Sequence, residues 1–488
     1  MFAEMVEKTI EAVKTAQREP LSKATFTQAT GLVQYDLQRP ALSLVPILSP
    51  IRNEMPRVSG DGGTATHWKA ITAIDTTSVN PGVSEGNRGG LIAVTVTDYV
   101  ASYKGLGLEA STTFEAEYAS EKFDDARARA VEKLLQAVMI AEEKVILDAN
   151  SSTGLGTTPT PSLSASTTGG TLATATYNVY CVALSGEGFR RSSIAGGLPG
   201  QLTKTNTGPY SSSDTFGGGN AKISLTATQA VTGPTGSITA TVAAVPGAAA
   251  YAWYWGVGAG ASSLLGAITT VNKVVIAATA TGTQAANDAK VGTDFSQNSL
   301  VYDGIIPTVV NGGGYFKSLN GAGFTGDSAA GIVEIDAMLK AQWDAYRVTP
   351  DEFWISSQEA LNLKAKVLSA AGSPLIRFTF DAGVGERVLT AGGKVGVYFD
   401  FITGKLIPFR VHPYLTAGTM LGLVKTLPAD VYVNSGVGNV RQIKTRRDYY
   451  QIEWPMITRA YEHGVYYDGL LQHYFPAVDA VIANIGNA

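Results

Sequence analysis

A single cysteine, Cys181, in 488 residues excludes an intramolecular disulfide and any multi-thiolate metal site, so stability has to come from packing and association. Charge is scarce too: 16% of residues carry it, against roughly 25% in an average globular domain. The 37 Lys+Arg nearly balance the 41 Asp+Glu, leaving a formal charge of −4. That balance excludes a protein that coats polyanions indiscriminately. The four histidines, His67, His412, His463 and His473, stand in no HExxH or Cys-rich pattern of the kind a zinc site needs. The first thirty residues carry acids from Glu4 onward and no apolar run of signal-peptide length, so nothing marks the chain for export. The longest uncharged stretch, 223–272, is broken by Gly233, Pro234, Pro246 and Gly247 and alternates Thr with apolar residues as in SITATVAAV. It reads as strands, not as a membrane span.

What is present describes a folded chain with large cores: 45% of residues are hydrophobic. Gly (54) and Pro (20) signal many turns and hence much β structure, and the length implies two or more domains. Phe2, Met5, Val6, Ile10 and Val13 recur at helical spacing before Pro20, which predicts a short amphipathic helix. The Pro-punctuated ALSLVPILSPIRNEMP reads as extended. TATHWKAITAI and LIAVTVTDYVASY flank the Gly-rich SVNPGVSEGNRGG, the pattern of a long two-stranded arm with a flexible tip. An isolated hairpin is barely stable in water, so this one needs something to lie on. From 116 to 150 an apolar stripe through Phe123, Val131, Leu134, Leu135, Val138, Val145 and Ile146 predicts one helix approaching about 50 Å, its acids and bases solvating the other face.

Between residues 155 and 300 only ten residues are charged, about 7%, against about 20% in the remaining 342. Such a step in composition marks a separate domain. It follows the linker-like SSTGLGTTPTPSLSASTTGG and contains TYNVYCVALS, AKISLTAT, SITATVAAV, YAWYWGVG and VVIAATATG between turns, the signature of a β-sandwich. Cys181 and Trp253 are then core residues. Beyond it, GDSAAGIVEIDAMLKAQWDAYRV predicts a helix capped near Asp327 or Ser328, EFWISS a strand, and SQEALNLKAKVLSA a second helix. GVYFDFI, LIPFRVHPYL, MLGLVKTL and ADVYVN predict strands, and a Tyr-crowded tail closes the chain.

A search for chemistry finds none to build on. Gly105-Leu106-Gly107-Leu108-Glu109-Ala110 imitates a dinucleotide fingerprint without a βαβ series around it, and the GGK at 392–394 and GK at 404–405 lack the rest of a P-loop. GDSAAG misses the nucleophile elbow by one position. His463 and His473 with Glu462 and Asp468 form the sole local cluster of ligand types, and ten residues of strand pattern separate the two histidines, so they read as cross-strand contacts. Arg441, Lys444, Arg446 and Arg447 precede Tyr449 and Tyr450, a pattern that could contact single-stranded nucleic acid but reads first as charges pairing across strands or subunits. No catalytic, cofactor-binding or metal-binding residue is named.

The order of parts, an arm, a long hairpin with a Gly-rich tip, a long helix, a helix–strand–helix block and a strand-rich return, resembles a tailed-bacteriophage major capsid protein. The likeness is carried by the hairpin from Val58 to Tyr103 as the extended loop and by the helix 116–150 as the spine. GIVEIDAMLKAQWDAYRVTPDEFWISSQEALNLKAKVL is similar to the axial domain, and RRDYYQIEWPMITRAYEHGVYYDG to the strands beside the spine. The resemblance implies an α+β chain: N-terminal arm 1–57, extended-loop hairpin 58–110, spine helix of the peripheral domain 111–154, an inserted all-β immunoglobulin-like sandwich 155–300, axial domain 301–440, and peripheral return strands with the C-terminus 441–488. It implies a structural protein, not an enzyme, that self-assembles into hexamers and pentamers of an icosahedral shell around double-stranded DNA, held without sequence-specific binding. The implied location is the virion capsid, and the host cytoplasm during assembly. Implied partners are other copies and scaffolding, portal and decoration proteins, with no membrane and no cofactor; the insert offers a face for host-surface or glycan contact. About fifty residues precede the hairpin, which implies a separate scaffold or none, and Lys69 has no identifiable asparagine partner for the covalent cross-link known in part of the family. Two other readings stand beside this one: the shell of a bacterial nanocompartment, and a cell-surface or carbohydrate-binding sandwich presenting Tyr251, Trp253, Tyr254 and Trp255.

Overall fold

The computed structural model describes residues 2–18, 41–74, 81–121, 123–206, 212–327, 331–370, 378–380, 387–389, 396–433 and 435–487. The chain is mixed α+β. It opens with α1 (Phe2–Arg18), α2 (Pro50–Glu54) and β1 (Arg57–Ser59), followed by an antiparallel hairpin of β2 (Ala65–Ile74) and β3 (Val94–Ser102). β4 (Lys104–Thr113) leaves the hairpin and becomes the edge of a four-stranded sheet ordered β1-β21-β22-β4, where β21 (Arg441–Glu453) and β22 (Ala460–His473) come from the far end of the chain. The hairpin proper is therefore shorter than 58–110, because Leu106, Leu108 and Ala110 have strand partners on β22.

The expected single helix over 116–150 is two helices. Thr113 caps α3 (Phe114–Ser120) by accepting from Ala116 N at 3.3 Å, and Asp125 caps α4 (Ala126–Asp148) by accepting from Ala128 N at 3.0 Å. Two N-caps within thirteen residues stop one helix and start another. α4 spans about 35 Å, not 50. Its Leu134, Val138, Ile146 and Leu147 pack on Ile443, Val465, Tyr467 and Leu471 of the sheet.

The weakly charged segment folds as β5 (Ser162–Ser166), β6 (Ala175–Leu184), α5 (Gly186–Arg191), β7 (Gln201–Asn206), β8 (Ser212–Gly217), β9 (Ala227–Val231), β10 (Ser237–Thr241), β11 (Ala250–Gly256), β12 (Leu264–Thr269) and β13 (Lys273–Ile276). Two antiparallel sheets, β13-β10-β5 and β12-β11-β6-β9, enclose one core with Cys181 and Trp253 in it. The residues read as a linker already contain β5, and AKISLTAT is irregular up to Ala227. In a sheet with one solvated face, alternation in β11 would leave Tyr254 exposed, yet Tyr251, Trp253, Tyr254 and Trp255 are all buried. Alternation sends Tyr251, Trp253 and Trp255 into the inter-sheet core, while Ala250, Ala252 and Tyr254 meet a second core with Leu198, Ala286 and Val291 from loops that cover the outer face.

The rest comprises α6 (Ile305–Asn311), β14 (Tyr315–Ser318), α7 (Val333–Tyr346), β15 (Glu352–Ile355), α8 (Ser357–Ala370), a small pair β16 (Phe378–Phe380) and β17 (Arg387–Leu389), then β18 (Val397–Phe399), β19 (Leu406–Val411), β20 (Met420–Leu423) and, after β22, β23 (Ala480–Ala483). Six of these strands form one sheet, β14-β23-β20-β15-β19-β18, with α7 and α8 contributing Ile335, Met338, Leu339 and Leu363 to its core. α7 starts at Val333 without a side-chain cap; Asp327 instead accepts from Gly331 N, and Ser328 lies outside the described residues. ADVYVN, a strand by its sequence pattern, is instead a turn over 428–432 in which Val431 and Tyr432 N donate to Pro428 O. The segment 441–488, expected from the resemblance to be peripheral return strands, is divided between two sheets: β21 and β22 lie beside α4 in the four-stranded sheet. β23 crosses into the six-stranded sheet, parallel to β14.

Candidate assembly surfaces

Three features carry apolar surface that is exposed among the described residues. On the hairpin, period-two alternation half-buries Trp68, Ala70, Thr97 and Tyr99 and exposes His67, Lys69, Ile71, Val96, Asp98 and Val100. At its root Trp68 stacks on Tyr99 with ring centres 5.8 Å apart and meets Tyr474 edge-on at 6.1 Å, bolting the hairpin to β22's end. A register shift between Ile71 and Ala73 is a bulge that returns Ile74, opposite Val94, to the face of Ile71 and Val96. Ile71 is 68% and Val96 55% exposed, and toward the tip Leu91 reaches 95%. The second feature is the arm: residues 41–48, ALSLVPIL, are exposed throughout and join no helix or strand, and α1 exposes Met5, Val6, Ile10 and Val13. The third is β18, an edge strand of the six-stranded sheet, where Val397, Phe399 and the neighbouring Phe401 are exposed and the two Phe rings lie 4.9 Å apart.

The arm is anchored by two adjacent carboxylates that look, in sequence, like solvated charges of α4. Glu142 and Glu143 are fully buried. Glu143 accepts from Ile51 N at 3.0 Å and Arg52 N at 2.7 Å, closing the open start of α2, and its other neighbour is His412 Nε2 at 2.6 Å. Tyr414 N donates to His412 Nδ1 at 3.1 Å, so Nε2 carries the proton given to Glu143. Glu142 takes Arg52 Nε and Arg57 Nη1, both at 2.7 Å, and the Tyr449 hydroxyl. Arg57 reaches on to Asp448 at 2.6 Å. Burial alone would lower the Arg57 pKa, but Asp448 and Glu142 hold it above its ordinary value; burial and Glu142 raise that of Tyr449. The result fixes where the arm leaves the body.

The remaining sequence candidates are dispersed or internally paired. His463 and His473 sit toward opposite ends of β22, about 33 Å apart. His463 Nε2 accepts from Arg127 Nε at 3.0 Å, and His473 Nε2 faces Asp479 Oδ2 at 2.9 Å. Among the described residues no group of three His, Cys, Asp or Glu could hold a metal, and no helix is long and apolar enough to cross a membrane. Residues 105–110 lie within β4, and Lys405 pairs with Asp351 at 2.6 Å. The GGK at 392–394 lies outside the described residues. Of the basic run, Arg441 pairs with buried Asp479, Arg446 Nε with Asp468 at 2.8 Å, and Arg447 lies 4.1 Å over the Tyr450 ring. Burial pushes the Asp479 carboxyl up, but Arg441 and His473 outweigh it and hold it below the usual range; burial lowers His473 despite Asp479.

No family model and no curated protein matches the chain. Solved structures similar to it include the capsid of a native GTA particle (10% identity, TM-score 0.42, covering 96% of this chain and 100% of that one). The capsid of cyanophage A-1(L) is also similar (12%, 0.42, 95% and 99%). So is the holo-SrpI encapsulin complex from Synechococcus elongatus PCC 7942 (8%, 0.40, 96% and 98%).

Proposed function

We propose that this chain is the major shell protein of a tailed bacteriophage, assembling as hexamers and pentamers of an icosahedral capsid that encloses double-stranded DNA. The observation that carries the reading is the exposed apolar surface of the hairpin, rooted at Trp68 on Tyr474, and of the arm, held by the buried clasp, both on a body with its own cores. A two-stranded hairpin with strands of ten and nine residues is marginal alone, and exposed apolar strips of this kind mark contact surfaces. A second copy supplies the missing cover: the hairpin lies across one neighbour and the arm beneath another. The near-neutral charge suits a wall that encloses DNA without condensing it. In this reading α4 is the spine, the four-stranded sheet the peripheral layer, and the six-stranded sheet the axial domain. The insert is read as an immunoglobulin-like sandwich: the order β9-β6-β11-β12 against β10-β5 is compatible with a C′-C-F-G and E-B arrangement, with the last strand, β13, added at the edge beside β10. Scaffolding, portal and decoration proteins would be its partners in the host cytoplasm and virion.

The test is sedimentation velocity of the purified chain, then negative-stain imaging of the fastest species. Closed megadalton particles, or free hexamers and pentamers, support the proposal, and their contents separate a genome shell from an enzyme-filled compartment. A chain that stays monomeric even with a candidate scaffold co-expressed overturns it.

A further inference from the structure

The insert joins the body at more places than its two connecting strands require. Those strands run side by side: Asn298 N donates to Asn150 O at 2.8 Å, and Gly304 N to Ala149 O at 2.7 Å. A domain hung on these bonds alone would be a pendant. A second seam holds the end of α4, where Arg190 on α5 grips Asp148 with its two terminal guanidinium nitrogens, Nη1 and Nη2, at 2.6 and 2.7 Å. Asp148 is the last residue of α4 and its side chain is 4% exposed. Gly186 packs so tightly on it that a side chain there has no room. A third seam holds the six-stranded sheet. Asn272 Nδ2 donates at 2.9 Å to Asn320 Oδ1, just beyond β14, and the Thr270 carbonyl lies against Gly418, just before β20. Between the seams, 247–249 pack toward Ile306, Phe316 and Val481 around a void of about 20 Å³, room for about one water.

We infer that the inserted sandwich is an internal brace that fixes the angle between α4 and the six-stranded sheet, and through that angle the curvature of the shell. α4 and this sheet also share a core directly, through Ile146, Leu147, Leu421 and Val481. Two bodies in contact along one seam can rock about it; a third body tied to both closes a triangle. The brace itself is stiff, because its central sheet is buried on both faces and close-packed interiors transmit displacement instead of absorbing it. The same burial takes Tyr251, Trp253, Tyr254 and Trp255 out of reach of any glycan. Curvature follows because a closed shell forms only when the subunit's shape matches the closing rotation. That half of the inference rests on the shell reading above; the brace does not.

The test uses the full chain and two mild variants, one at each end. R190K keeps the charge but loses the two-pronged grip. N320G keeps the left-handed backbone, φ 52° at Asn320, and removes the amide. Hydrogen exchange is read at both ends. The expected result is crosswise: R190K speeds exchange in β14 and β23 by about tenfold, and N320G does the same for the last two turns of α4. Purely local effects, or a wild-type insert that melts in its own calorimetric transition, overturn the brace. In assembled material each variant is expected to give more than one particle diameter where the wild type gives one. Uniform diameters alongside crosswise loosening overturn the curvature half alone. Failure of the wild type to form particles with a candidate scaffold overturns the shell reading, and curvature with it, while exchange still decides the brace.

Discussion

Ile71 and Val96 face each other across the hairpin on its uncovered side. Replacing them together by Lys and Glu, I71K/V96E, separates a surface that is bare from one that is waiting for a neighbour. In the free chain both side chains are more than half exposed, and the new opposite charges stand where a cross-strand pair is favourable by about 0.2–1 kcal/mol. The melting temperature of the free subunit should therefore move by no more than about 2 °C. In an assembly that covers this face, the remaining exposed part of each residue represents about 1–2 kcal/mol of burial. The pair then costs about 2–4 kcal/mol per contact, a factor of about 30–1,000 in association. Sedimentation velocity at fixed concentration reads the second number and differential scanning fluorimetry the first. Unchanged assembly would show that the face stays in solvent in the shell. A large fall in melting temperature would show that the hairpin is covered within its own chain, contrary to the exposure of Ile71 and Val96.

Glu142→Gln removes the charge that Arg52 and Arg57 share. Breaking a buried pair usually costs about 3–5 kcal/mol, and since Arg57 keeps Asp448 and Arg52 keeps Tyr449, about 2–3 is expected here. A denaturant midpoint equal to that of the wild type would mean that the clasp contributes nothing. The His473–Asp479–Arg441 group makes the fold acid-sensitive. The His473 pKa is depressed below its ordinary 6.5, so its contribution is complete above 6.5 and is lost as pH falls through the folded value. Asp479, depressed below 3.8, adds a second loss at lower pH. Glu359 and Asp336, raised mainly by burial, act the other way, favouring the fold at acid pH and losing that contribution as pH rises. Thermal melts should therefore fall as pH drops below 6.5, and H473Q should flatten that decline; an unchanged slope in H473Q would assign the loss elsewhere.

The parts legible in the sequence are those whose signal is local. The hairpin announces itself by alternating β-branched residues, and the insert by its missing charge. What escapes a reading along the chain depends on distant partners. Glu142 and Glu143 sit in a helical run of acids and bases, and their partners Arg52 and His412 lie 90 and 269 residues away. The double burial of β11 needs a layer of irregular chain, around Leu198 and Val291, that has no period to detect. The break after α3 is marked by Asp125, a cap residue, but the apolar stripe through Phe123 continues at helical spacing and masks it. β23 is four apolar residues, long enough for a buried strand, yet only its parallel pairing with β14 decides which sheet receives it.

The charge that holds this molecule together lies inside the subunit, which fixes how its assembly should respond to salt. The clasp, Asp148–Arg190 and Arg441–Asp479 are buried and therefore weakly screened. Two of the surfaces proposed to meet a neighbour carry little charge: residues 41–48 have none, and the exposed face of the hairpin strands has Lys69 and Asp98 opposite one another, whereas α1 sets Glu4, Glu7, Lys8, Glu11 and Lys14 beside its apolar residues. Association must then come mainly from removing apolar surface from water, a term that excluded salts such as sulfate strengthen. Raising NaCl from 0.1 to 0.5 M, which shortens the Debye length from about 10 Å to roughly 4–5 Å, should leave the assembled fraction within about twofold. Ammonium sulfate at matched ionic strength should raise it. Dissociation by 0.5 M NaCl would require charge pairs between copies that residues 41–48 and the hairpin strands do not offer, and would move the contact to α1, to Glu85 and Arg88 at the hairpin tip, or to the charged flank of α4 around Arg129, Glu132 and Lys133.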